Sequence, residues 1–463
     1  MGWRGFQGQW KFLVLALAAL LAAATVCAYF VAGNLSRDEP RARTHDLGVL
    51  PSRAWTLDVA AIAGNSAGVL LTLPQTLDSY YGYGAVLDAP TMLVGAIGTP
   101  TAKDASGSQR VDAVTLVGIS RDDGTAQWRR PIGAVTQCAD QLDSGIIACW
   151  DSKRIVFVDT ATGKLLSENE PDFTVGQGQV IAGTAFVSGV QTNGSRHKLE
   201  LTSGTPTDPS ASYHRSFDIA GPLTAVDEIV PSQNTLVLTT QTGENPIYQS
   251  TVYHLDSGTP RFTIGSNTLR VVGDGLFLAT QPSDLNPLGI QQLISRAGSP
   301  ILTAPVPAYT HETLPTATIG PPPVLLGDGA YDPSSGLQLW RDPRMLTYGS
   351  DWVSTARALA GATVIVASAD TQSLIGLDQQ SGQQLWRTPW TDAYWIHGGI
   401  TDGEYYAFTD YTGLHSLRVA DGAIVWSLPL PSGADPRSAT ISDAGGDILL
   451  TTGAEISLWR QDN

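Results

Sequence analysis

Residues 378–386 read DQQSGQQLW and residues 332–340 read DPSSGLQLW. In both stretches an aspartate stands four residues before a glycine and a tryptophan four residues after it. An aspartate side chain can accept a backbone N–H and nucleate a turn, and glycine supplies a positive φ without steric cost. The pattern predicts a tight turn between two strands, made by Asp378 and Gly382 and, in the other copy, by Asp332 and Gly336. Trp386 and Trp340 are then expected on the following strand.

Weaker copies of this pattern occur along most of the chain. Asp159 and Gly163 keep the turn, but this copy ends in Ser167, whereas Gly422 is followed by Trp426. The turn glycines, weak members included, are Gly124, Gly163, Gly204, Gly258, Gly298, Gly336, Gly382 and Gly422, at spacings of 38 to 54 residues. A period near 40 residues with several short strands per unit is typical of propeller blades.

The repeat also indicates a family. We expect each aromatic residue to lie on the outer strand of its blade and to fill the wedge between blades. The pattern resembles the Asp-x-x-Thr-Gly-x-x-x-Trp repeat of pyrroloquinoline-quinone (PQQ)-type β-propellers across most of residues 46–463. This resemblance implies an all-β propeller of four-stranded blades, usually eight in number.

The two ends of the repeat region predict how the ring closes. The strand that ends at Trp459 is not followed by another turn unit, so residues 47–59 are expected to supply the missing outer strand, with Trp55 in the aromatic position. A shared strand removes two exposed sheet edges. The turns plus this shared blade give nine units, but we predict eight blades, with seven or nine as alternatives. The unit at Gly204 or at Gly298 is expected not to form a blade.

An apolar segment precedes the repeats. Residues 12–33 contain no charged side chain, and a helix of this length spans about 33 Å, enough to cross a bilayer core. Arg4 and Lys11 precede the segment without an acidic residue, which favours a cytoplasmic N-terminus. We predict a cytoplasmic segment 1–11, an uncleaved transmembrane signal anchor 12–33, a juxtamembrane stalk 34–45 and an extracytoplasmic propeller 46–463. A cleaved signal peptide is the alternative.

The cysteines are consistent with export. Cys138 and Cys149 flank Asp143-Ser144-Gly145, a turn signal between two short apolar runs. A hairpin would place the two thiols opposite each other, so a disulfide is expected in an oxidising compartment. Two buried free thiols are the alternative.

Composition excludes several classes of protein. The chain has 463 residues, of which 42% are hydrophobic and 15% charged, which is too apolar for intrinsic disorder. Its formal net charge of −16 disfavours nucleic-acid binding, which needs a basic face.

Signatures of catalysis are not found in the sequence. The seven histidines form no H-E-x-x-H motif and no zinc spacing with cysteine. The quinoprotein dehydrogenases that this repeat resembles hold PQQ with calcium, a tryptophan and two adjacent cysteines, and this chain has no Cys-Cys pair. We therefore predict no catalytic, cofactor-binding or metal-binding residues, and keep a PQQ-dependent oxidoreductase as the alternative.

The expected function is a non-catalytic scaffold that binds proteins or assists envelope assembly. It would sit on the extracytoplasmic side of the bacterial cytoplasmic membrane, anchored through residues 12–33, with an unidentified envelope protein as its partner. The outer-membrane assembly propeller of the resembling family works through protein partners. A further alternative is a cell-wall glycan-binding module that uses the aromatic residues at 80–83 and 394–395. His397 could line a central channel, although an ordinary loop histidine is the simpler interpretation.

Overall fold

Nine small β-sheets follow one another along the chain, and we number them as blades 1 to 9. The computed structural model describes residues 46–461 except 65–67, 71–85, 101–110, 136, 140–141, 195, 220–221, 243–246, 267, 273–274, 284–285, 305–315, 319–321, 334, 347–354, 369–370, 392, 394–395, 397, 432–433, 435–438 and 453. Val, Ile, Leu and Thr dominate the strands, while Gly, Asp and Ser occupy the turns, as β-propensity and turn chemistry require.

Blades 1 to 4 cover the first part of the ring. Blade 1 contains β2 (Val69–Leu70), β3 (Leu87–Asp88), β4 (Leu93–Pro100), β5 (Val111–Ile119) and β6 (Ala126–Gly133). Blade 2 contains β7 (Gln137–Cys138), β8 (Ile146–Trp150), β9 (Ile155–Asp159) and β10 (Leu165–Asn169). Blade 3 contains β11 (Thr174–Ile181), β12 (Thr184–Asn193), β13 (Arg196–Thr205) and β14 (Asp208–Ile219). Blade 4 contains β15 (Leu223–Val230), β16 (Thr235–Thr242), β17 (Ile247–His254) and β18 (Pro260–Gly265).

Blades 5 to 9 complete the ring. Blade 5 contains β19 (Thr268–Val271), β20 (Phe277–Ser283), β21 (Asn286–Ile294) and β22 (Pro300–Thr303). Blade 6 contains β23 (Thr316–Thr318), β24 (Val324–Leu326), β25 (Gly329–Tyr331) and β26 (Gln338–Arg341). Blade 7 contains β27 (Thr355–Gly361), β28 (Thr363–Ser368), β29 (Ser373–Asp378) and β30 (Gln384–Pro389). Blade 8 contains β31 (Gly398–Thr401), β32 (Tyr405–Thr409), β33 (Leu414–Arg418) and β34 (Ile424–Leu428). Blade 9 contains β35 (Thr440–Ala444), β36 (Asp447–Thr451), β37 (Glu455–Arg460) and β1 (Ser52–Asp58).

Most blades are antiparallel meanders in chain order, and blade 6 is the exception. Its β24, β25 and β26 form a three-stranded sheet, while β23 pairs in parallel with β27, the first strand of blade 7. First strands of neighbouring blades run in the same direction, so β23 bridges the two blades. Blade 1 gains a fifth strand because β3 pairs with β4.

Buried apolar clusters join every neighbouring pair of blades, and this shows that the blades form a closed ring. Eight clusters connect blade 1 to blade 2 and so on to blade 9. A ninth cluster connects blade 9 to blade 1 through Leu449 and Leu458 on one side and Leu93 and Val117 on the other. The core of the molecule is therefore a circle of interblade layers, each buried between two sheets.

The ring closes through a strand shared between the two ends of the repeat region, as predicted. The N-terminal strand β1 pairs antiparallel with β37 and forms the outer edge of blade 9. Trp55 of β1 is buried in the interface with blade 1.

The prediction of eight blades was wrong, because the ring has nine blades, which was one of the two alternatives. Gly204 and Gly298 both belong to four-stranded sheets, blades 3 and 5, so neither unit is lost. Gly204 itself lies within β13 and not at a turn, which explains why blade 3 carries so weak a copy of the repeat.

Helical structure is scarce in the described part of the chain. One short helix, α1 (Val59–Ala63), is capped by the Asp58 side chain, and two 3₁₀ turns cover Pro231–Gln233 and Pro343–Leu346. Among the described residues no helix is long and apolar enough to cross a membrane. The predicted segments 1–11, 12–33 and 34–45 lie outside the described residues. The transmembrane anchor therefore remains a prediction.

Cys138 and Cys149 form a disulfide, as the hairpin pattern predicted. They are directly opposite each other on β7 and β8, and both are buried between blades 1 and 2. The alternative of two free thiols is therefore wrong.

Candidate functional site

The tryptophans of the repeat connect each blade to the next. The indole Nε1 of Trp340 donates to the carbonyl of Gln379, at 2.8 Å, and that of Trp386 donates to Val419, at 2.6 Å. The acceptor stands three residues before the turn glycine of the following blade in each case. A Cβ on Gly382 would lie 2.6 Å from the Trp340 ring, so the positive-φ glycine also makes room for the indole.

The aspartates of the repeat stabilise these turns, as predicted. Asp378 Oδ1 accepts hydrogen bonds from the backbone N–H and the hydroxyl of Ser381, both at 2.7 Å. Asp159 and Asp332 accept the matching pair from Thr162 and Ser335. The hydrogen bonds from Ser381 lower the pKa of Asp378 below its ordinary value. These repeat residues are structural, and the structure does not bring them together in one site.

Blade 2 breaks the wedge pattern. The wedge residues of the other eight blades are apolar, and they are Trp55, Trp128, Phe217, Phe262, Ile301, Trp340, Trp386 and Trp426. In blade 2 the position is Ser167, whose hydroxyl donates to the Pro206 carbonyl in the turn of blade 3 at 2.6 Å. Serine thus keeps the hydrogen bond to the neighbouring turn but supplies little of the volume of an indole.

A cavity of about 260 Å³ lies at this interface between blades 2 and 3. Blade 2 contributes Ile155 and Asn169, and the connection 170–173 between the blades contributes its four residues. The wall from blade 3 consists of Val187, Thr202, Pro209, Ser210 and His214. We call this cavity the wedge pocket. It is far larger than the space of about 15 Å³ that one water molecule needs.

The wall of the wedge pocket is polar on the side of blade 3. Leu199 and Leu201 of β13 face blade 4, so the alternate residues Glu200 and Thr202 face blade 2. On β14 the register places His214 opposite Thr202 and Ser216 opposite Glu200. An interior strand packed on both faces normally carries apolar residues on both, so the polar face of β13 is an exception.

Glu200 is the centre of a small polar group beside the pocket. Its carboxylate is 4% exposed and accepts a hydrogen bond from Ser216 Oγ at 2.8 Å, while its other oxygen is 2.7 Å from Nε2 of His214. The imidazole is half-exposed and lines the pocket. Glu200 therefore holds both the Ser216 hydroxyl and the His214 imidazole beside the pocket.

A second group contains the residue types of a hydrolase triad, but its geometry is that of a buried structural network. His415 Nδ1 lies 2.8 Å from Ser427 Oγ, and Nε2 lies 3.0 Å from Asp410 Oδ1. Trp390 Nε1 donates to Asp410 at 2.9 Å, and the Trp390 ring packs edge-on against the imidazole, 4.8 Å away between centroids. His415 is 4% exposed, and the Trp390 and Phe408 rings pack against its imidazole.

Asp410 is ionised in this network. Burial would raise the pKa of its carboxyl, but hydrogen bonds from His415 and Thr412 outweigh burial and bring the pKa below the ordinary value. The network fixes the turn Asp410–Gly413 to the connection before blade 8 through Trp390.

The described residues do not match the quinone cradle of the dehydrogenases that the repeat resembles. Trp340, Trp386 and Trp426 are buried in wedges and have no free ring face for a quinone, and the cysteines outside residues 1–45 are joined 11 residues apart. No group of three or more His, Cys, Asp or Glu side chains in the described part of the chain could hold a metal ion. That the protein uses no cofactor stays a prediction.

Some predicted binding residues lie outside the described residues. These are the tyrosines at 80, 81 and 83, the pair Tyr394 and Trp395, and His397. The wedge pocket was not predicted from the sequence, although Ser167 in place of the repeat tryptophan and the alternation in Leu199-Glu-Leu-Thr202 are its signals.

Comparison with known proteins supports the repeat assignment. Residues 329–453 match the family model described as outer membrane protein assembly factor BamB. Within this segment the chain consists of PQQ-like propeller repeats. The matched segment of this PQQ-like propeller covers blades 7 and 8 with parts of blades 6 and 9, where the repeat is most regular. No curated protein matches the chain in sequence.

Several solved structures resemble the chain at low sequence identity. BamB from Moraxella catarrhalis is 10% identical with a TM-score of 0.42, covering 89% of this chain and 100% of its own. A europium-containing methanol dehydrogenase is 11% identical with a TM-score of 0.44, covering 89% and 93%. A computationally designed protein, Ika8, is 10% identical with a TM-score of 0.46, covering 88% and 99%. Similarities of this size do not separate binding propellers from enzymes.

Proposed function

We propose that this PQQ-like propeller is a non-catalytic scaffold of the bacterial cell envelope that binds protein partners. In this proposal residues 12–33 anchor it in the cytoplasmic membrane, with the propeller on the extracytoplasmic side. The match of residues 329–453 to an assembly-factor family supports the role in binding. The apolar segment and the disulfide support the location.

The observation that carries the proposal is the wedge pocket. The wedge residues of the other eight blades are apolar, whereas the interface between blades 2 and 3 has Ser167 at that position and contains the wedge pocket. Concave sites with an apolar floor and a few placed polar groups are the usual form of binding sites. The polar group beside the wedge pocket consists of one buried carboxylate and a half-exposed imidazole, which can orient a ligand.

Photocrosslinking in intact cells tests the proposal. A photoreactive residue at Ser210, exposed at the pocket wall, is expected to crosslink to a defined envelope protein. The same residue at Gln127, an equally exposed position on the outer strand of blade 1, is the matched control and is expected not to.

Two results would overturn the proposal. One is the absence of any protein crosslinked from Ser210 in membranes that contain the full chain. The other is stoichiometric uptake of PQQ with calcium by the purified protein, accompanied by dye reduction, because this would make it an oxidoreductase.

A further inference from the structure

We propose that the wedge pocket binds the side chain of a lysine or arginine that projects from a partner protein. This inference rests on the proposed function, since it names the group by which a partner is recognised. The shape of the pocket, its charge and the Thr202 hydroxyl in its wall support this assignment.

The shape of the pocket suits a long side chain with an apolar stem. Ile155, Phe173 and Val187, all buried in the cluster between blades 2 and 3, form the apolar floor. Pro171 and Pro209 extend this surface toward the rim. The methylene groups of lysine or arginine can pack on such a surface while the charged end stays near water.

The charge of the pocket is negative. Glu170 and Asp172 are exposed at the rim, and neither makes an ion pair or a hydrogen bond within the described part of the chain. Glu200 adds a buried carboxylate behind His214. These three carboxylates outnumber the one imidazole, so an incoming cation is attracted and an anion is repelled.

Thr202 gives an independent indication that a polar group is missing from the pocket. Its side chain lines the cavity and is 8% exposed, yet it forms no hydrogen bond among the described residues. A ligand that reaches this hydroxyl can therefore donate a hydrogen bond to Oγ1. Ammonium and guanidinium groups are donors only, which matches an acceptor at this position.

A partner protein is favoured over a free amine by the position of the pocket. It opens on the outer side of the ring beside exposed residues of β14, including Ser210, so a side chain attached to a folded surface can enter it. Free polyamines carry the same group and are an outcome of the test.

The test is peptide binding to the full-length protein, followed by saturation-transfer NMR. The probes are Ac-Ala-Lys-Ala-NH₂ and Ac-Ala-Arg-Ala-NH₂, with the uncharged norleucine and citrulline peptides as controls of matched size. We expect the basic peptides to bind at least tenfold more tightly than their controls, and to lose affinity as salt rises.

Two double variants separate pocket charge from total charge. Glu170→Gln with Asp172→Asn is expected to weaken the basic peptides at least tenfold. Asp122→Asn with Glu404→Gln removes the same charge from exposed sites on blades 1 and 8 and is expected to leave binding unchanged. Ser210→Trp, which introduces a bulky group at the pocket wall, is expected to reduce binding of both basic peptides at least tenfold.

The inference is overturned if the uncharged peptides bind equally well, if both double variants weaken binding alike, or if spermidine binds at least tenfold more tightly than either peptide. Crosslinking from Ser210 to an envelope protein with no preference for basic peptides would leave the scaffold function standing and refute only this inference. Preference for basic peptides without any crosslinked protein would refute the scaffold instead.

Discussion

The indole Nε1 of Trp426 donates a hydrogen bond of 2.8 Å to the carbonyl of Leu47, which lies 379 residues earlier in the chain. Ser416 Oγ donates to the same carbonyl at 2.8 Å, and the backbone N–H of Leu47 donates to Asp402. In the other tryptophan wedges this acceptor belongs to the turn of the next blade. In blade 9 the turn between β37 and β1 is interrupted by the chain ends, and residues 46–49 take its place.

Trp426→Phe is expected to loosen this closure. The ring of phenylalanine still fills the wedge, but the hydrogen bond to Leu47 is lost, at a cost of about 1 kcal/mol in free energy of unfolding. Amide hydrogen exchange should quicken in residues 46–58. Trp459→Phe is the control, because its indole donates to Ser457 within the same strand. Equal exchange in the two variants would contradict a closing role for Trp426.

Gly382→Ala tests the contact between turn and wedge. Alanine at φ +69° costs about 1 kcal/mol in backbone strain, and its Cβ would collide with the Trp340 ring, adding about 1–3 kcal/mol. Gly194→Ala has a similar φ of +63° with no atom within 4 Å of the added Cβ, so only the strain remains. Urea unfolding of both variants measures the difference, and equal losses would show that the wedge contact does not matter.

Removing the disulfide is expected to destabilise the protein. The Cys138→Ala, Cys149→Ala variant releases a short loop whose closure lowers the entropy of the unfolded chain, and we expect a loss of about 3 kcal/mol. Unfolding in urea with a reductant should lower the midpoint of the wild type and leave that of the variant unchanged. A reductant effect on both proteins would point to a different cause.

The lowered pKa of Asp410 predicts that the free energy of unfolding falls in acid. Its folded-state pKa is lowered, so its contribution is complete above the unfolded value of about 3.9 and is lost as pH falls through the folded value. Asp410→Asn should destabilise the protein at pH 7, by about 3 kcal/mol, and flatten the decline of stability below pH 4. Thermal unfolding between pH 2 and 7 measures both effects. Asp122→Asn, at a fully solvated side chain, is the control, and an unchanged acid slope in Asp410→Asn would contradict the assignment.

Periodic features were predictable because their causes are local. The Asp378–Ser381 turn joins residues 3 positions apart and the Cys138–Cys149 hairpin residues 11 apart. The Trp340 wedge reaches Gln379, 39 residues away, but this distance is one period of the repeat, so the same contact recurs from blade to blade. Blade 3 was hard to recognise in the sequence because it has the four strands without the turn aspartate, turn glycine and tryptophan of the repeat. Phe217 serves as its wedge at the end of a long β14, and its last turn contains no positive-φ glycine.

The two polar groups were beyond sequence reasoning for a different reason. Glu200 and His214 are 14 residues apart, and Asp410 and Trp390 are 20 apart, in segments without a recognisable motif. Their meeting depends on strand register and on which face of each sheet meets a neighbour. Burial and hydrogen bonding in these two groups can be predicted only when the positions of both neighbouring blades are known.

By itself the sequence determined that this chain is a propeller with PQQ-like repeats, closed by a strand from its N-terminal side, because turns and wedges are encoded locally and many times over. Only the tertiary structure decided that there are nine blades and that a pocket lies between blades 2 and 3. The blade number and the pocket both depend on how complete sheets pack around the ring. That packing involves contacts between residues far apart in the chain.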